Sequence, residues 1–208
     1  MESPEYDVQE SAVKLSRKDQ AVQTRLLVFN TALSLLERKS FEDITVRDIV
    51  SEAGVSVGTF YNYFATKLDV FYETYVLADD YFRDTVAGRL TQADARERLL
   101  LYFDEYAAYS AEHSGLKLSR ILYNSSNTRF LRSADHGMLP VLTQTLERAR
   151  RDGQLLPECD PGDTAEQLMI AARGLVYDWC IHSGSYDLRA AMARYMERMT
   201  RWCLKEKS

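Results

Sequence analysis

The chain has 208 residues, of which 46% are apolar, and a net charge of −5. This composition is typical of a globular protein with a core and excludes disorder throughout the chain. No apolar run approaches the roughly 20 residues that span a bilayer, and the acidic start MESPEYDVQE does not resemble a secretory signal. We therefore expect a cytoplasmic protein with no membrane partner.

The first predicted helix begins after a flexible arm formed by residues 1–15. Glycine and proline are sparse, at 9 and 4, and apolar residues recur every three or four positions, so the sequence predicts an all-α fold of about nine helices. Ser16 and Asp19 have the spacing of a capping box, as do Thr45 with Asp48 and Thr66 with Asp69. Each pair predicts the start of a helix.

Residues 45–64 read TVRDIVSEAGVSVGTFYNYF, which predicts a helix of about two turns, a tight turn and a second short helix. Gly54 suits the left-handed conformation that ends a helix, and Ser56 is placed to cap the next one. Phe60 and Phe64 would face inward. The opposite face carries Val57, Gly58, Thr59, Tyr61, Asn62 and Tyr63.

This segment has the pattern of a helix-turn-helix that binds DNA. Its outer face combines small residues with hydroxyl and amide groups that can reach base edges or phosphates. The basic excess also lies here, since residues 11–67 carry eight Lys and Arg against six Asp and Glu. Thr45 and Lys67 are placed near helix N-termini, which favour phosphate. An ordinary helical corner is the alternative interpretation of the geometry alone.

The sequence of residues 24–72 strongly resembles the tetracycline-repressor (TetR) family, above all in the string G-V-S-x-G-T-F-Y-x-Y-F-x-x-K. Ser40 and Thr31 depart from its usual glycine and alanine. The resemblance implies a three-helix DNA-binding domain at 16–67, a ligand-binding and dimerisation domain at 68–208, and phosphate contacts from Tyr61 and Lys67. The DNA-binding residues that we predict are Thr45, Arg47, Ser56, Val57, Gly58, Thr59, Tyr61, Asn62, Tyr63 and Lys67.

Two apolar seams near the C-terminus, joined by residues 182–185, predict a helical hairpin. Two such hairpins related by a two-fold axis would form a four-helix bundle, which resembles the dimer interface of the family. Each seam alone is also compatible with an ordinary core face. The predicted interface residues are Ala165, Leu168, Ala172, Leu175, Trp179, Leu188, Met192, Tyr195, Met199 and Trp202.

Aromatic and apolar residues between positions 102 and 130 can line a ligand cavity, with hydroxyls to orient the ligand. Such residues can equally be plain core. An arginine can receive an anionic ligand or extend into solvent. The candidate ligand-binding residues are Tyr102, Phe103, Tyr106, Tyr109, Leu118, Leu122, Tyr123, Phe130, Arg173 and Tyr177.

Together these patterns predict a DNA-binding transcriptional regulator, a repressor that leaves an inverted-repeat operator when a small, largely apolar molecule binds. An architectural DNA-binding protein without an effector is the alternative, and an enzyme is the rival from another class. Cys159, Cys180 and Cys203 fit no metal-ligand spacing. We predict no metal, no cofactor and no catalytic residues, with double-stranded DNA and a second copy of the chain as partners.

Overall fold

The computed structural model describes residues 16–123, 127 and 137–206. Within these ranges the chain is helical, and the β interactions amount to one isolated bridge between Leu155 and Leu204. The predicted all-α fold class is confirmed. The proposed arm at 1–15 and the candidate ligand residue Phe130 lie outside the described residues.

Three helices form the N-terminal part of the molecule: α1 (Arg17–Arg38), α2 (Val46–Ala53) and α3 (Val57–Tyr63). They pack around a core in which Val28, Ile49 and Phe60 are fully buried. Short α2 and α3 could not be stable alone, because isolated helices of that length are marginal in water. Burial of their apolar faces against α1 therefore holds them in place.

The capping boxes predicted at Ser16, Thr45 and Thr66 are all present. At each one the hydroxyl accepts a hydrogen bond from the backbone amide of an aspartate three residues on, whose carboxylate accepts one in return. These bonds satisfy amides that have no partner within the helix. The starts of three helices are therefore fixed by local chemistry.

A nearly continuous helical path follows α3. It consists of α4 (Lys67–Phe71), α5 (Glu73–Tyr81), a π-helical turn (Phe82–Val86) and the single turn α6 (Ala87–Arg89). These elements connect the N-terminal helices to the larger C-terminal part. π-helical turns inside helices are frequent at functional sites.

The C-terminal part begins with α7 (Ala95–Ala108), which continues through a second π-helical turn (Tyr109–Ser114) into α8 (Gly115–Leu122). The last three helices are α9 (Met138–Arg151), α10 (Pro161–Ile181) and α11 (Leu188–Met199). A turn of 3₁₀ helix, Thr200–Trp202, follows α11. Helices α7, α9, α10 and α11 bury a second apolar core.

The two cores are joined by α8. Leu118 and Leu122 project from it into the N-terminal core, although they follow that domain by some fifty residues in the sequence. Val70 and Phe71 of α4, which lie beyond the predicted domain boundary at residue 67, are fully buried in the same core. The N-terminal core is therefore completed by later segments, and the boundary itself stays a prediction.

The orientation predicted for the C-terminal seams is wrong for most of their residues. The first seam lies on α10 and the second on α11, and each faces the core of its own chain. Only Tyr195 and Trp202 are exposed, and Leu175 and Met199 are partly buried against that core. The residues buried inside the chain are Ala165, Leu168, Ala172, Trp179, Leu188 and Met192.

The hairpin between α10 and α11 is present. The indole of Trp179 donates to the Tyr186 carbonyl at 3.0 Å, and the Tyr186 hydroxyl donates to the Asp178 carboxylate at 2.9 Å. Gly184, at φ +70°, lies against the Trp179 ring, where a larger residue would be strained. The inward-facing tryptophan therefore closes the hairpin.

Candidate DNA interface and ligand cavity

The turn between α2 and α3 has the geometry of a helix-turn-helix. Gly54 adopts the left-handed conformation, with φ 67° and ψ 30°, and ends α2. The Val55 amide donates to the Val50 carbonyl at 3.0 Å, which closes the helix end. Ser56 then begins α3, because its hydroxyl accepts from the Thr59 amide at 2.9 Å. The predicted roles of Gly54 and Ser56 are confirmed.

Helix α3 has one buried and one exposed face. Phe60 is fully buried, and Phe64, at the end of the helix, is 3% exposed. On the opposite face Val57 is 45% and Tyr61 54% exposed, and Asn62 is exposed as well. These exposed side chains offer an apolar group, an amide and a phenol, which can contact base edges and phosphates. This face is the part of α3 that is free to enter a groove of DNA.

The predicted DNA residues fall into two groups by exposure. Thr59, Tyr63 and Lys67 are half-buried, and the rest are exposed on the same side of α2 and α3 or at their N-termini. The exposed members are Thr45, Arg47, Ser56, Val57, Gly58, Tyr61 and Asn62.

Three hydroxyls of this surface already make hydrogen bonds within the protein. The Thr45 hydroxyl donates to the Asp48 carboxylate at 2.7 Å, and the Ser56 and Thr59 hydroxyls are 2.8 Å apart. The hydrogen bonds from Thr45, together with Lys39, lower the pKa of Asp48 to about 2. Asp48 is therefore charged at neutral pH, and its carboxylate stabilises the start of α2 by accepting the hydrogen bonds from Thr45.

Lys67 has a structural role that the sequence did not reveal. Its ammonium donates to the carbonyls of Phe41 at 2.6 Å and Ile44 at 2.7 Å, and lies 4.2 Å from the centre of the Phe41 ring. These contacts hold the loop between α1 and α2 against the start of α4. The phosphate contact predicted for Lys67 would have to compete with them.

A second site, a cavity of about 250 Å³, lies inside the C-terminal part. Helices α5, α7, α8, α9 and α10 contribute to its wall, and the π-helical turn Tyr109–Ser114 contributes three residues. Five of the predicted ligand residues lie in the wall. They are Tyr106, Tyr109, Leu122, Tyr123 and Arg173.

Four other predicted ligand residues lie elsewhere. Tyr102 and Phe103 are fully buried in the C-terminal core, and Leu118 is buried in the N-terminal core. Tyr177 is on the outside of α10 and 51% exposed. Consecutive residues of a helix point in different directions, so an aromatic run on α7 cannot all face one cavity. For these four residues the sequence interpretation is corrected.

The cavity wall combines apolar side chains with hydroxyl groups. The Tyr106 and Tyr123 hydroxyls are 2.7 Å apart, and the Asn127 amide donates to the Tyr75 hydroxyl at 2.8 Å. Burial raises the pKa of Tyr75, Tyr106 and Tyr123, so all three are neutral at physiological pH. They can donate to or accept from a ligand without placing a negative charge in the cavity.

Ten wall residues were missed by sequence reasoning, and all of them except Ser110 and Ser114 come from outside the proposed segment 102–130. Helix α5 contributes one side, and α9 and α10 the other. Only the tertiary packing brings them together, and no local spacing identifies them. The missed residues are Thr74, Tyr75, Ala78, Ser110, Ser114, Met138, Leu139, Glu166, Met169 and Ile170.

In the part of the chain that the structure describes, no helix is both long and apolar enough to cross a membrane. The same residues contain no cluster of His, Cys, Asp and Glu that could hold a metal ion. Two features stand out instead, an exposed recognition surface on a helix-turn-helix and a hydroxyl-lined apolar cavity in a separate helical core. This combination is typical of DNA-binding transcriptional regulators.

Comparison with known proteins agrees with that class. Residues 28–74 match the family model described as bacterial regulatory proteins, tetR family. This match covers the helix-turn-helix segment and agrees with the resemblance to the TetR family found in the sequence. No curated protein matches the chain.

Solved structures of transcriptional regulators share the fold along most of the chain. The fatty acid degradation regulator FadR from Bacillus halodurans is 20% identical, with 90% of this chain and 96% of that chain covered and a TM-score of 0.69. FadR from Bacillus subtilis, solved with stearoyl-CoA, is 18% identical, with 84% and 96% covered and a TM-score of 0.67. The complex of SmeT with triclosan is 21% identical, with 88% and 93% covered and a TM-score of 0.64.

Proposed function

We propose that the protein is a repressor that binds an inverted-repeat operator as a homodimer and is released when a small, largely apolar molecule enters the cavity. The observation that carries the DNA-binding part is the division of α3 into a buried face, with Phe60, and an exposed face, with Tyr61 and Asn62. A major groove about 12 Å wide accepts one helix presented in this way.

Within this surface we assign base reading to Asn62 and Thr59. An exposed amide can pair with both hydrogen-bonding groups of an adenine edge, and the methyl and hydroxyl of threonine can meet thymine or a mixed edge. Thr59 is half-buried and its hydroxyl is shared with Ser56, so its methyl group is the more available of the two contacts. Asn62 is therefore the stronger candidate.

Asn62→Ala should relax base preference at one position of each half-site by about 1–3 kcal/mol. The reason is the lost bidentate amide pairing, which no neighbouring group can replace. Because a dimer uses the residue twice, the loss should be symmetric about the centre of the operator. The measurement is binding-site selection for wild type and variant at two salt concentrations.

Arg47→Ala is the matched control, since it removes an exposed side chain nearby that we place as a groove contact without an assigned base. It should leave the preferred base at the Asn62 position unchanged. If Asn62→Ala selects the same sequences as wild type, base reading by Asn62 is wrong. If neither the wild type nor any variant selects an inverted repeat, the proposal that the protein binds an inverted-repeat operator is wrong.

The dimer proposal now rests on the outer faces of α10 and α11. Ile170, Gly174, Tyr177 and Ile181 step along α10 by 4, 3 and 4, and all are exposed, Ile170 and Ile181 by 60% each. Tyr195 on α11 is exposed by 41%, and Trp202, in the 3₁₀ turn that follows α11, by 38%. A continuous apolar stripe of this kind on the outside of a monomer is typical of an interaction surface. We infer that the second copy of the chain covers it.

The cavity supports the ligand-responsive part of the proposal. A filled C-terminal core would instead favour an architectural protein. The regulators SmeT and Bacillus subtilis FadR were solved with triclosan, which is largely apolar, and with stearoyl-CoA, whose acyl chain is apolar. We extend that property to the ligand of this chain. The matched family consists of regulators, which also supports the prediction that the chain is not an enzyme.

Helix α8 provides a physical route from the cavity to the DNA-binding helices. Leu122 lines the cavity and is also packed in the N-terminal core. One helical turn away, the Lys117 ammonium donates to the carbonyls of Leu36 at 3.1 Å and Glu37 at 2.7 Å, at the C-terminal end of α1. A ligand that shifts α8 would therefore pull on α1. By linkage it must bind the two conformations unequally.

Lys117→Met should weaken the coupling between ligand and DNA while leaving ligand binding intact. The change keeps the apolar stem of the side chain but removes the donors that hold the end of α1. We expect a ligand that lowers wild-type DNA affinity by about 1–3 kcal/mol to have a clearly smaller effect on the variant. Thermal shift measures ligand binding, and fluorescence anisotropy measures DNA affinity.

Triclosan and stearoyl-CoA are suitable first probes for a wider screen of amphipathic compounds. Glu37→Gln is the control, because it changes an exposed carboxylate beside the same lysine but keeps both carbonyl contacts. If the ligand lowers the DNA affinity of Lys117→Met as much as that of wild type, the Lys117 contact does not carry the coupling between the cavity and α1. A screen in which no compound shifts either the melting temperature or the DNA affinity would contradict the ligand proposal.

A further inference from the structure

The C-terminal end of α10 contains a strained serine at a position where glycine is common. The Ser183 amide donates to the Cys180 carbonyl at 3.2 Å, and the Gly184 amide donates to the Trp179 carbonyl at 3.0 Å. This pair of hydrogen bonds forms a Schellman motif, whose left-handed residue is usually glycine. Here that residue is Ser183, with φ +56°, and no other described residue apart from glycines has a positive φ. The serine therefore carries a conformational cost that glycine would avoid.

The hydroxyl of Ser183 binds an arginine from a different helix. The Nη2 atom of Arg120, on α8, donates to this hydroxyl at 2.7 Å, and the Nε atom of Arg120 donates to the Cys180 carbonyl at 3.2 Å. Both acceptors belong to the end of α10, where the helix dipole favours a cation. The contact gives a physical reason for serine at this strained position, since glycine has no hydroxyl to offer Arg120.

Helix α8 is thereby attached to two parts of the molecule. Lys117, one turn before Arg120, donates to the carbonyls of Leu36 and Glu37 at the end of α1. Residues three apart on a helix are separated by about 4.5 Å along its axis. The end of α1, which belongs to the DNA-binding helices, is therefore joined to the end of α10 through a single turn of α8.

The attached end of α10 lies beside the surface that we propose for the dimer. Ile181 is the last residue of α10, is 60% exposed and ends the apolar stripe. The two residues that hold Arg120, Cys180 and Ser183, are within two positions of it in the sequence. A contact at this place would relate the DNA-binding helices of each subunit to the two-fold axis of the dimer.

We propose that Arg120 is a positioning residue that fixes the separation of the two DNA-binding units, and with it the distance between half-sites that the protein accepts. This inference rests on the proposed function, because it requires a dimer on an inverted repeat. Each added base pair moves a half-site by about 3.4 Å and rotates it by about 35°. A dimer whose units are held firmly must discriminate between spacings, whereas one whose units are held loosely tolerates several.

The experiment measures how the length of the operator spacer affects DNA affinity. The probe is the inverted repeat that the full-length wild type selects from a random duplex library, together with versions that have one or two base pairs added or removed at the centre. Fluorescence anisotropy gives the dissociation constant for each duplex and for a single half-site. We expect one extra base pair to weaken wild-type binding about tenfold or more, a loss similar to that from a mismatched base pair.

Arg120→Met should make this spacer penalty about threefold smaller, a factor that the loss of one exposed hydrogen bond can produce, and should leave the half-site affinity unchanged. Ser183→Gly should reduce the penalty part of the way, because the bond from Arg120 to the Cys180 carbonyl remains. Glycine adopts the left-handed conformation without strain, so this variant should unfold in urea close to wild type. A merely structural role of the contact would alter unfolding and not the preferred spacing.

Arg189→Met is the matched control, because Arg189 is also an exposed arginine that joins two helices, α11 and α7, through Asp104. It should keep the wild-type spacer penalty. If Arg120→Met keeps that penalty, if Arg189→Met reduces it equally, or if wild type binds all spacings alike, the positioning role is wrong and the proposed function stands. If wild type selects no inverted repeat, the proposed function and this inference are both overturned.

Discussion

Replacing Tyr177 with glutamate is expected to convert the proposed dimer into monomers at micromolar concentration. Tyr177 lies near the middle of the exposed stripe on α10 and is 51% exposed in the single chain. The carboxylate therefore costs little in the monomer but would be buried without a partner in the dimer. Such a charge costs about 3–5 kcal/mol, and the two-fold axis places one on each side of the interface. Each 1.4 kcal/mol changes the dissociation constant tenfold.

Multi-angle light scattering measures the oligomeric state, and circular dichroism verifies that the helices remain. Val76→Glu is the matched control, because Val76 is a 44% exposed apolar residue on α5, away from the stripe. It should stay dimeric. The monomeric variant should also lose affinity for a complete inverted repeat, since each half-site is then bound separately. A well-folded Tyr177→Glu protein that remains dimeric would place the interface elsewhere.

Replacing Lys67 with methionine is expected to lower the free energy of unfolding by about 3 kcal/mol. The ammonium makes short hydrogen bonds to the carbonyls of Phe41 and Ile44, and hydrogen bonds to charged groups contribute about 1.5–3 kcal/mol each. The methionine stem preserves the packing against the Phe41 ring but leaves both carbonyls without this donor. Urea-induced unfolding measures the change.

Lys39→Met is the control for the loss of one positive charge. Lys39 pairs with Asp48 at 3.1 Å on an exposed surface, where an ion pair contributes at most about 1 kcal/mol. If Lys67→Met unfolds like wild type but reduces the salt dependence of DNA binding by about one ion per subunit, the lysine contacts phosphate after all. The two roles therefore have different experimental signatures.

Local signals in the sequence were sufficient where a few consecutive residues determine the structure. The hydroxyl and carboxylate of each capping box are three residues apart, so Ser16, Thr45 and Thr66 could be identified as helix starts without any tertiary contact. Gly54 at the turn is a comparable case. Together with the spacing of Phe60 and Phe64, these residues made the helix-turn-helix predictable.

The direction of the seam on α10 could not be predicted in the same way. This helix carries two apolar stripes, one through Leu168 and Ala172, the other through Ile170 and Tyr177. Both have steps of three and four residues, so the pattern alone cannot say which stripe packs inside the chain. The choice depends on α7, α9 and α11, which bury the first stripe and leave the second exposed.

Local sequence patterns were enough to predict that the chain is helical, that residues 45–64 form a helix-turn-helix, and which face of α3 is polar. Each of these follows from interactions within about one or two helical turns. The residues that surround the cavity, the contacts of the Lys67 ammonium and the exposed face of α10 became known from the tertiary packing. Those features depend on contacts between residues tens of positions apart, whose relative placement is set by packing of the whole chain.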